Sequence, residues 1–236
     1  MTGTSAGPPP TGTDAAKRRA GERAAEFVTE GMTLGLGTGS TARWFIDAVG
    51  RLVGGGMRLW GVPTSEASRR QAGALGIPLV ELTAGGVDLA VDGADRVDPQ
   101  LDLVKGFGAA LLREKIVAHA ARRFVIVIDA GKLTPHLGGR VPLEIAPFGH
   151  AATLAAVTSL GAGAAELRRG PAGDPVLSDN GGLIADLEAS GEPDAGGLAD
   201  ALSSVPGVLG HGLFLGMADL VLVAGPDGVR ELHRRS

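Results

Sequence analysis

Short apolar runs alternate with helical segments along the chain, and this alternation restricts the fold more than any other feature. The runs lie in MTLGLG (32–37), at residues 87–91 and in FVIVID (124–129), and helices are predicted at 41–53 and 109–122. Strands that are apolar on both faces are typical of parallel sheets covered by helices. The pattern predicts an α/β fold with an open, mostly parallel sheet and helices on both faces.

A different order of elements begins after residue 136. RVPLEIAPF, HAATLAAVTSLGA, AAELRRG, GGLIADLEA and GGLADALSSVPGV indicate strand, helix, strand, strand and helix. We therefore expect a smaller α+β domain of ferredoxin-like type at 137–206. It would be inserted into a Rossmann-like catalytic domain formed by residues 14–136 and 207–236. Residues 1–13, rich in Pro, Gly, Thr and Ser, predict a disordered tail.

Composition excludes several classes of function. The net charge is −4 and there is no block of basic residues, which argues against a nucleic-acid or anionic-membrane partner. The absence of cysteine excludes disulfides and a thiolate zinc site. No secretory signal precedes the first helix and no apolar run reaches bilayer length, so a cytoplasmic location is expected.

The glycine-rich stretch LGLGTGSTA follows the first predicted strand. Gly37, Gly39 and Ala42 fit the dinucleotide pattern G-x-G-x-x-[GA]. The acidic residue expected about 20 positions later is missing, since that region reads Val62–Thr64. Backbone N–H groups and hydroxyls at a helix N-terminus suit a single phosphate. The alternative is a tight turn with Ser40 as the helix N-cap.

Three aspartates follow the apolar run at 87–91, in the stretch DGADRVDP. An EF-hand spacing is absent, no histidine lies nearby, and Lys105 adds a positive charge in the same loop, so no metal ligand is predicted. Carboxylates beside an ammonium suit a polyhydroxylated ligand, whose hydroxyls donate hydrogen bonds to them. The alternative is a solvated loop whose aspartates accept backbone hydrogen bonds.

Glu114 has no cation three or four positions away in its predicted helix. Its neighbours there are Ala110, Leu111, Val117 and Ala118. A carboxylate among apolar side chains has a raised pKa, as a general base near neutral pH requires. The alternative is a glutamate at the edge of the apolar face with its carboxylate in water.

Four ordered motifs resemble the type A ribose-5-phosphate isomerases: GTGSTA (37–42), DGAD (92–95), KGFGAALLREK (105–115) and DAGK (129–132). SDNGG (178–182) and GLF (212–214) are also similar to that family. The resemblance implies interconversion of ribose 5-phosphate and ribulose 5-phosphate through an enediol, without a metal or organic cofactor. It also implies a sugar-phosphate substrate and a homodimer or homotetramer.

The resemblance assigns roles to residues that match the motifs. Glu114 would be the proton acceptor, with Asp92, Asp95 and Lys105 assisting catalysis, while Asp98 would shape the turn before Pro99. The substrate contacts would be Thr38, Gly39, Ser40, Thr41, Asp92, Gly93, Ala94, Asp95, Lys105, Gly106, Phe107, Gly108, Lys132 and, in the first helix, Lys17.

Two positions depart from the family pattern, and two other functions compete with the isomerase. Phe107 replaces a usual glycine and could either crowd the loop or turn outward, while Arg96 replaces a usual acidic residue. A non-catalytic sugar-phosphate sensor of related fold is the first alternative, although it would not need Glu114. A nicotinamide-dependent oxidoreductase is the second, weakened by the missing ribose carboxylate.

Overall fold

The computed structural model describes residues 12–190 and 194–234 of the chain. The predicted disordered tail falls mainly on residues 1–11, which lie outside the described residues. The helices are α1 (Gly12–Ala25), α2 (Ala42–Gly54), α3 (Glu66–Ala74), α4 (Leu111–His119), α5 (His150–Ser159) and α6 (Ala195–Ser204). Within the described ranges, none of the helices combines the length and the apolar character needed to cross a membrane.

The strands are numbered in chain order. They are β1 (Thr33–Leu36), β2 (Trp60–Pro63), β3 (Leu89–Asp92), β4 (Arg96–Val97), β5 (Leu103–Val104), β6 (Phe124–Asp129), β7 (Gly139–Ile145), β8 (Gly163–Leu167), β9 (Leu183–Ala189), β10 (Val208–His211), β11 (Leu213–Phe214), β12 (Leu220–Gly225) and β13 (Gly228–His233).

The main sheet has six strands in the order β13-β12-β6-β3-β1-β2. Its strands are parallel except β13, which is antiparallel to β12. Successive residues of β6 face opposite sides: Val125 and Val127 pack with α1 and α2, and Ile126 and Ile128 pack with α4. Both faces are therefore buried, and the predicted α/β fold with an open, mostly parallel sheet is confirmed.

Strand β1 lies between β2 and β3, so β2 is added on one side of β1 and β3 on the other, and the strand order changes direction at β1. Ligands of open α/β sheets bind at the carboxyl ends of the strands, beside such a switch in strand order. Residues 37–41, 93–95 and 130–132 follow β1, β3 and β6 at this edge. The topology thus brings three of the four sequence motifs together.

A second sheet has four antiparallel strands in the order β10-β7-β9-β8. Together with α5 and α6 it follows the β-α-β-β-α-β order of a ferredoxin-like unit, as predicted, and Val157 and Leu202 pack into its core. Strand β10 belongs to this sheet, although the sequence analysis assigned residue 207 onward to the catalytic domain. The two-domain division of the chain stays a prediction.

A small third sheet, ordered β11-β5-β4, was not predicted. Its two-residue strands are too short to produce a hydrophobic period. The segment IPLVEL (77–82) forms none of the strands of the described residues and makes a single bridge, between Leu79 and Gly61. Helix α4 is shorter than predicted, since the loop before it extends to Ala110.

Candidate active site

A cleft opens at the carboxyl edge of the main sheet, above β1, β3 and β6. It is lined by Thr38, Gly39, Ser40, Thr41, Gly93, Ala94, Asp95, Lys105, Gly106, Gly108, Glu114, Ile128 and Lys132. All four sequence motifs contribute to this lining. Ile128 was not predicted, because an apolar residue of a buried strand gives no sign that it borders a ligand. Of the predicted contacts, Asp92, Phe107 and Lys17 lie outside the lining.

Lys105 is buried with its ammonium group between two carboxylates. Its Nζ lies 3.1 Å from Asp92 Oδ2 and 3.4 Å from Glu114 Oε2, and it donates a hydrogen bond to the Gly93 carbonyl. Burial lowers the pKa of Lys105, but the two carboxylates outweigh it and the pKa is raised above its ordinary value. Lys105 therefore carries its proton, and a positive charge, in the free enzyme at neutral pH.

Glu114 lies in the first turn of α4 and is only 5% exposed. Burial, followed by the nearby Asp92 carboxylate, raises the pKa of Glu114 to about 8, against the opposing attraction of Lys105. Among the described residues, no hydrogen bond reaches Oε2. The structure thus agrees with the expected pKa shift. No cation lies at helical spacing from Glu114, and the cation beside it, Lys105, approaches from a loop outside the helix.

Asp92, the last residue of β3, lies beneath the glycine turn. Its Oδ1 accepts hydrogen bonds from the backbone N–H of Thr38 at 2.9 Å and of Gly93 at 2.7 Å. Burial raises the pKa of Asp92, while Lys105 and the two N–H groups oppose the shift. A Cβ at Gly37 would lie 2.4 Å from Asp92 Oδ1, so only glycine lets the turn pack on this carboxylate. Asp92 joins the turn to Lys105.

The other two aspartates of DGADRVDP differ in whether they line the cleft. Asp95 lines the cleft, and its Oδ2 accepts a hydrogen bond from Phe107 N–H at 2.9 Å. Asp98 accepts the N–H groups of Gln100 and Asp102, each at 2.9 Å, and does not line the cleft. The prediction that Asp98 shapes the turn is confirmed.

The glycine turn leaves the start of α2 without a side-chain cap. Thr41 is the N-cap residue and makes no capping hydrogen bond, so the alternative with Ser40 as N-cap is wrong. Ser40 Oγ instead accepts a hydrogen bond from Lys17 Nζ at 3.1 Å. Uncapped N–H groups beside an ammonium form an environment that favours an anion. Lys17 thus borders the cleft through Ser40.

The two residues that depart from the family pattern point away from the cleft. The Phe107 ring packs against the core of the smaller sheet, with the Arg140 guanidinium 4.1 Å from its centre. Phe107 avoids a positive φ, which only Leu101 and Ala109 adopt among the described non-glycine residues. Arg96 donates a hydrogen bond to the Gly138 carbonyl. Neither side chain crowds the cleft.

The structure also shows polar partners of the cleft that the sequence analysis missed. Thr38 Oγ1 lies 2.8 Å from Thr64 Oγ1 and donates to Ser65 Oγ at 2.7 Å, which joins the turn to the N-terminus of α3. Arg168 contacts the loop carrying Lys105. In the described part of the chain, no three His, Asp or Glu side chains are grouped so as to hold a metal ion.

Comparison with known proteins gives one consistent result. The family model of ribose 5-phosphate isomerase A (phosphoriboisomerase A) matches residues 60–228. Ribose-5-phosphate isomerase A of Nitrobacter hamburgensis is 48% identical over 229 residues, covering 94% of this chain and 99% of that protein.

Solved structures agree with this assignment. Ribose 5-phosphate isomerase A from Methanocaldococcus jannaschii is similar with a TM-score of 0.88 and 36% identity, covering 93% of this chain and 99% of that one. A D-ribose-5-phosphate isomerase in complex with phospho-erythronic acid is similar with a TM-score of 0.89 and 38% identity, covering 94% and 99%.

These similarities cover 93–94% of this chain. They decide between the isomerase and its two alternatives, the sugar-phosphate sensor and the nicotinamide-dependent oxidoreductase. The chain belongs to the ribose 5-phosphate isomerase A family, the enzymes that interconvert ribose 5-phosphate and ribulose 5-phosphate in the pentose phosphate pathway.

Proposed function

We propose that Glu114 is the base that carries a proton between C2 and C1 of ribose 5-phosphate. The observation behind this role is a buried carboxylate on the cleft with a pKa of about 8 and an oxygen free of hydrogen bonds. A base is most effective when its pKa is near the working pH. Glu114 meets this condition because burial disfavours its charged form.

The reaction can be written with Glu114 and Lys105 as the working groups. The Glu114 carboxylate removes the C2 proton of the open-chain aldose, and the electron pair forms the C1–C2 double bond as negative charge develops on O1. The Lys105 ammonium stabilises this charge and donates a proton to O1. Glu114 then returns its proton to C1 while the O2 hydroxyl gives its proton to Lys105, so ketose is released without net proton change.

Asp92 and Asp95 have distinct proposed roles. Asp92 would keep Lys105 charged and in place, since their charged atoms are 3.1 Å apart and both side chains are buried. Asp95 would accept hydrogen bonds from the sugar hydroxyls, because it lines the cleft and only one of its oxygens accepts from the loop.

The substrate phosphate would bind at the glycine turn. Backbone N–H groups of residues 39–41, the Ser40 hydroxyl, Lys17 and Lys132 supply donors and positive charge at one end of the cleft. A related isomerase was solved with phospho-erythronic acid, a phosphorylated four-carbon acid. This supports a phosphorylated sugar as the ligand here.

The decisive variant is Glu114→Gln, which keeps the shape of the side chain and removes its basicity. Loss of a positioned base should lower kcat by roughly 10²–10⁴-fold. Inhibition by inorganic phosphate should change little, since the proposed phosphate contacts come from other residues. The control is Glu166→Gln, an exposed position on β8. A folded Glu114→Gln variant with nearly normal kcat would exclude Glu114 as the base.

The proposed assembly is a homodimer or homotetramer and the proposed location is the cytoplasm. Exposed apolar side chains, including Phe148 at 95% and Leu177 at 59% exposure, provide surface that a second copy could cover. Sedimentation measured over a range of protein concentrations tests the assembly, and a monomer at all concentrations would contradict it.

A further inference from the structure

Arg168, immediately after β8 of the smaller sheet, lies under the loop Lys105–Gly108. Its Nε donates to Asp186 Oδ2 at 2.8 Å, and its Nη2 donates to the other oxygen of the same carboxylate. Its Nη1 donates to the carbonyls of both Gly106 and Phe107, each at 3.0 Å. One guanidinium group therefore contacts two successive peptide units of the loop.

When these carbonyls are held in one orientation, the N–H groups of the same peptides are also held in one orientation. The described residues contain no cis peptide bond, and in a planar trans peptide the N–H points opposite to the C=O. The Gly106 carbonyl faces Arg168, and the next N–H, that of Phe107, faces the other way and donates to Asp95 Oδ2 at 2.9 Å.

The peptide between Phe107 and Gly108 has the same planar trans geometry. The Phe107 carbonyl faces Arg168, so the Gly108 N–H points away from Arg168. Gly108 lines the cleft, and its N–H has no hydrogen-bond acceptor among the residues that the structure describes. An unpaired N–H beside Lys105 and Glu114 is suited to a developing oxyanion.

We propose that Arg168, held by Asp186, is a positioning residue that directs the Gly108 N–H toward the enediolate oxygen and keeps Asp95 in place. This role rests on the proposed function of the cleft. Arg168 does not line the cleft and acts through the loop.

The loop needs such support because of its own backbone. Gly106 has φ of 108° and Ala109 has φ of 61°, and the peptides between them are flanked by Gly106 and Gly108, which permit alternative orientations. Two hydrogen bonds from a charged donor oppose a flip of either peptide. Because Asp186 accepts two bonds from Arg168, the guanidinium plane is itself oriented.

Asp186 is also linked, through Arg140, to the side chain of Phe107 in the same loop. Arg140 Nε lies 3.9 Å from Asp186 Oδ1, and the Arg140 guanidinium lies over the Phe107 ring. Phe107 is therefore held through its carbonyl by Arg168 and through its ring by Arg140. The Asp186 carboxylate lies beside both arginines.

The test is Arg168→Lys, since an ammonium keeps the charge but cannot bridge one carboxylate and two carbonyls in the same plane. A misdirected donor should lower kcat by roughly 10–100-fold, as small displacements in active sites do. Binding of phospho-erythronic acid, whose carboxylate would occupy the reacting end, should weaken. Inhibition by inorganic phosphate should be unchanged. The control is Arg169→Lys, an exposed neighbour that donates to the Gly173 carbonyl.

The outcomes separate positioning from a general structural role. A folded Arg168→Lys variant with unchanged kcat would overturn the proposal, as would equal weakening of phosphate and phospho-erythronic acid. If this variant does not fold, Asp186→Asn, which keeps Arg168 and weakens its anchor, is judged by the same measurements. Phospho-erythronic acid binding does not depend on proton transfer, so failure of Glu114 as the base would leave this result interpretable.

Discussion

Lys105 Nζ lies 3.4 Å from Glu114 Oε2, yet no described residue donates a hydrogen bond to that oxygen. The attraction of the ammonium therefore offsets only part of the cost of burying the carboxylate. A charged base with one incompletely solvated oxygen is a stronger proton acceptor than an exposed glutamate.

This arrangement predicts how the rate depends on pH. Glu114 must be ionised to remove a proton, and its pKa is about 8. The value of kcat/KM should therefore rise as pH increases from 6 and level off above about 8, since this constant reports the free enzyme. Rates measured in buffers from pH 6 to 9.5 check this. A profile that is flat over this range would show that no group with such a pKa controls the reaction.

Gly37→Ala tests the close packing between the glycine turn and Asp92. The added methyl would lie 2.4 Å from both Asp92 Oδ1 and the Val91 carbonyl. Overpacking of this kind costs about 1–3 kcal/mol, and activity should fall because Asp92 holds Lys105. The matched control is Gly54→Ala at the exposed end of α2, where an added Cβ meets nothing within 4 Å. Equal melting temperatures and rates for both variants would contradict the prediction.

Phe107→Gly restores the usual family residue. Because the ring packs against the smaller sheet and points away from the cleft, the reaction should be unchanged, and kcat or KM should change by about tenfold at most, roughly 1.4 kcal/mol. Thermal stability should fall, since the contacts with Arg140 and the sheet core are lost. Kinetics together with a melting curve decide this. Complete loss of activity in a folded variant would reveal a role of the ring in catalysis.

The anion site at the glycine turn predicts competition between inorganic phosphate and the substrate. Unphosphorylated ribose should be a very poor substrate, because remote binding energy positions the reacting end. Lys17→Met should weaken phosphate inhibition by roughly tenfold, the effect of losing one charged hydrogen bond. Arg18→Met, which loses only an exposed ion pair with Glu22, serves as control. Similar turnover of ribose and ribose 5-phosphate would refute the site.

The sequence predicted the site residues that follow the strands of the main sheet. Apolar runs define β1, β3 and β6, and parallel strands bring their carboxyl ends to one edge, so the residues after them had to meet. The partner of Glu114 was missed because Lys105 lies nine positions earlier in a loop, beyond the reach of helical spacing. Arg168 was missed for the same reason: the loop carbonyls that it contacts are more than 60 positions away in the chain.

All predicted contact residues lie between Lys17 and Lys132, in the first 132 residues of 236. The Lys105 N–H nevertheless donates to the Gly212 carbonyl at 2.8 Å, and β5 pairs with β11 at residues 213–214. During synthesis at about 5–20 residues per second, a nascent chain carries every contact residue for several seconds before this pairing can form. Products that end before residue 212 would therefore contain the reacting groups without the strand that pairs beside Lys105, and we expect them to be inactive.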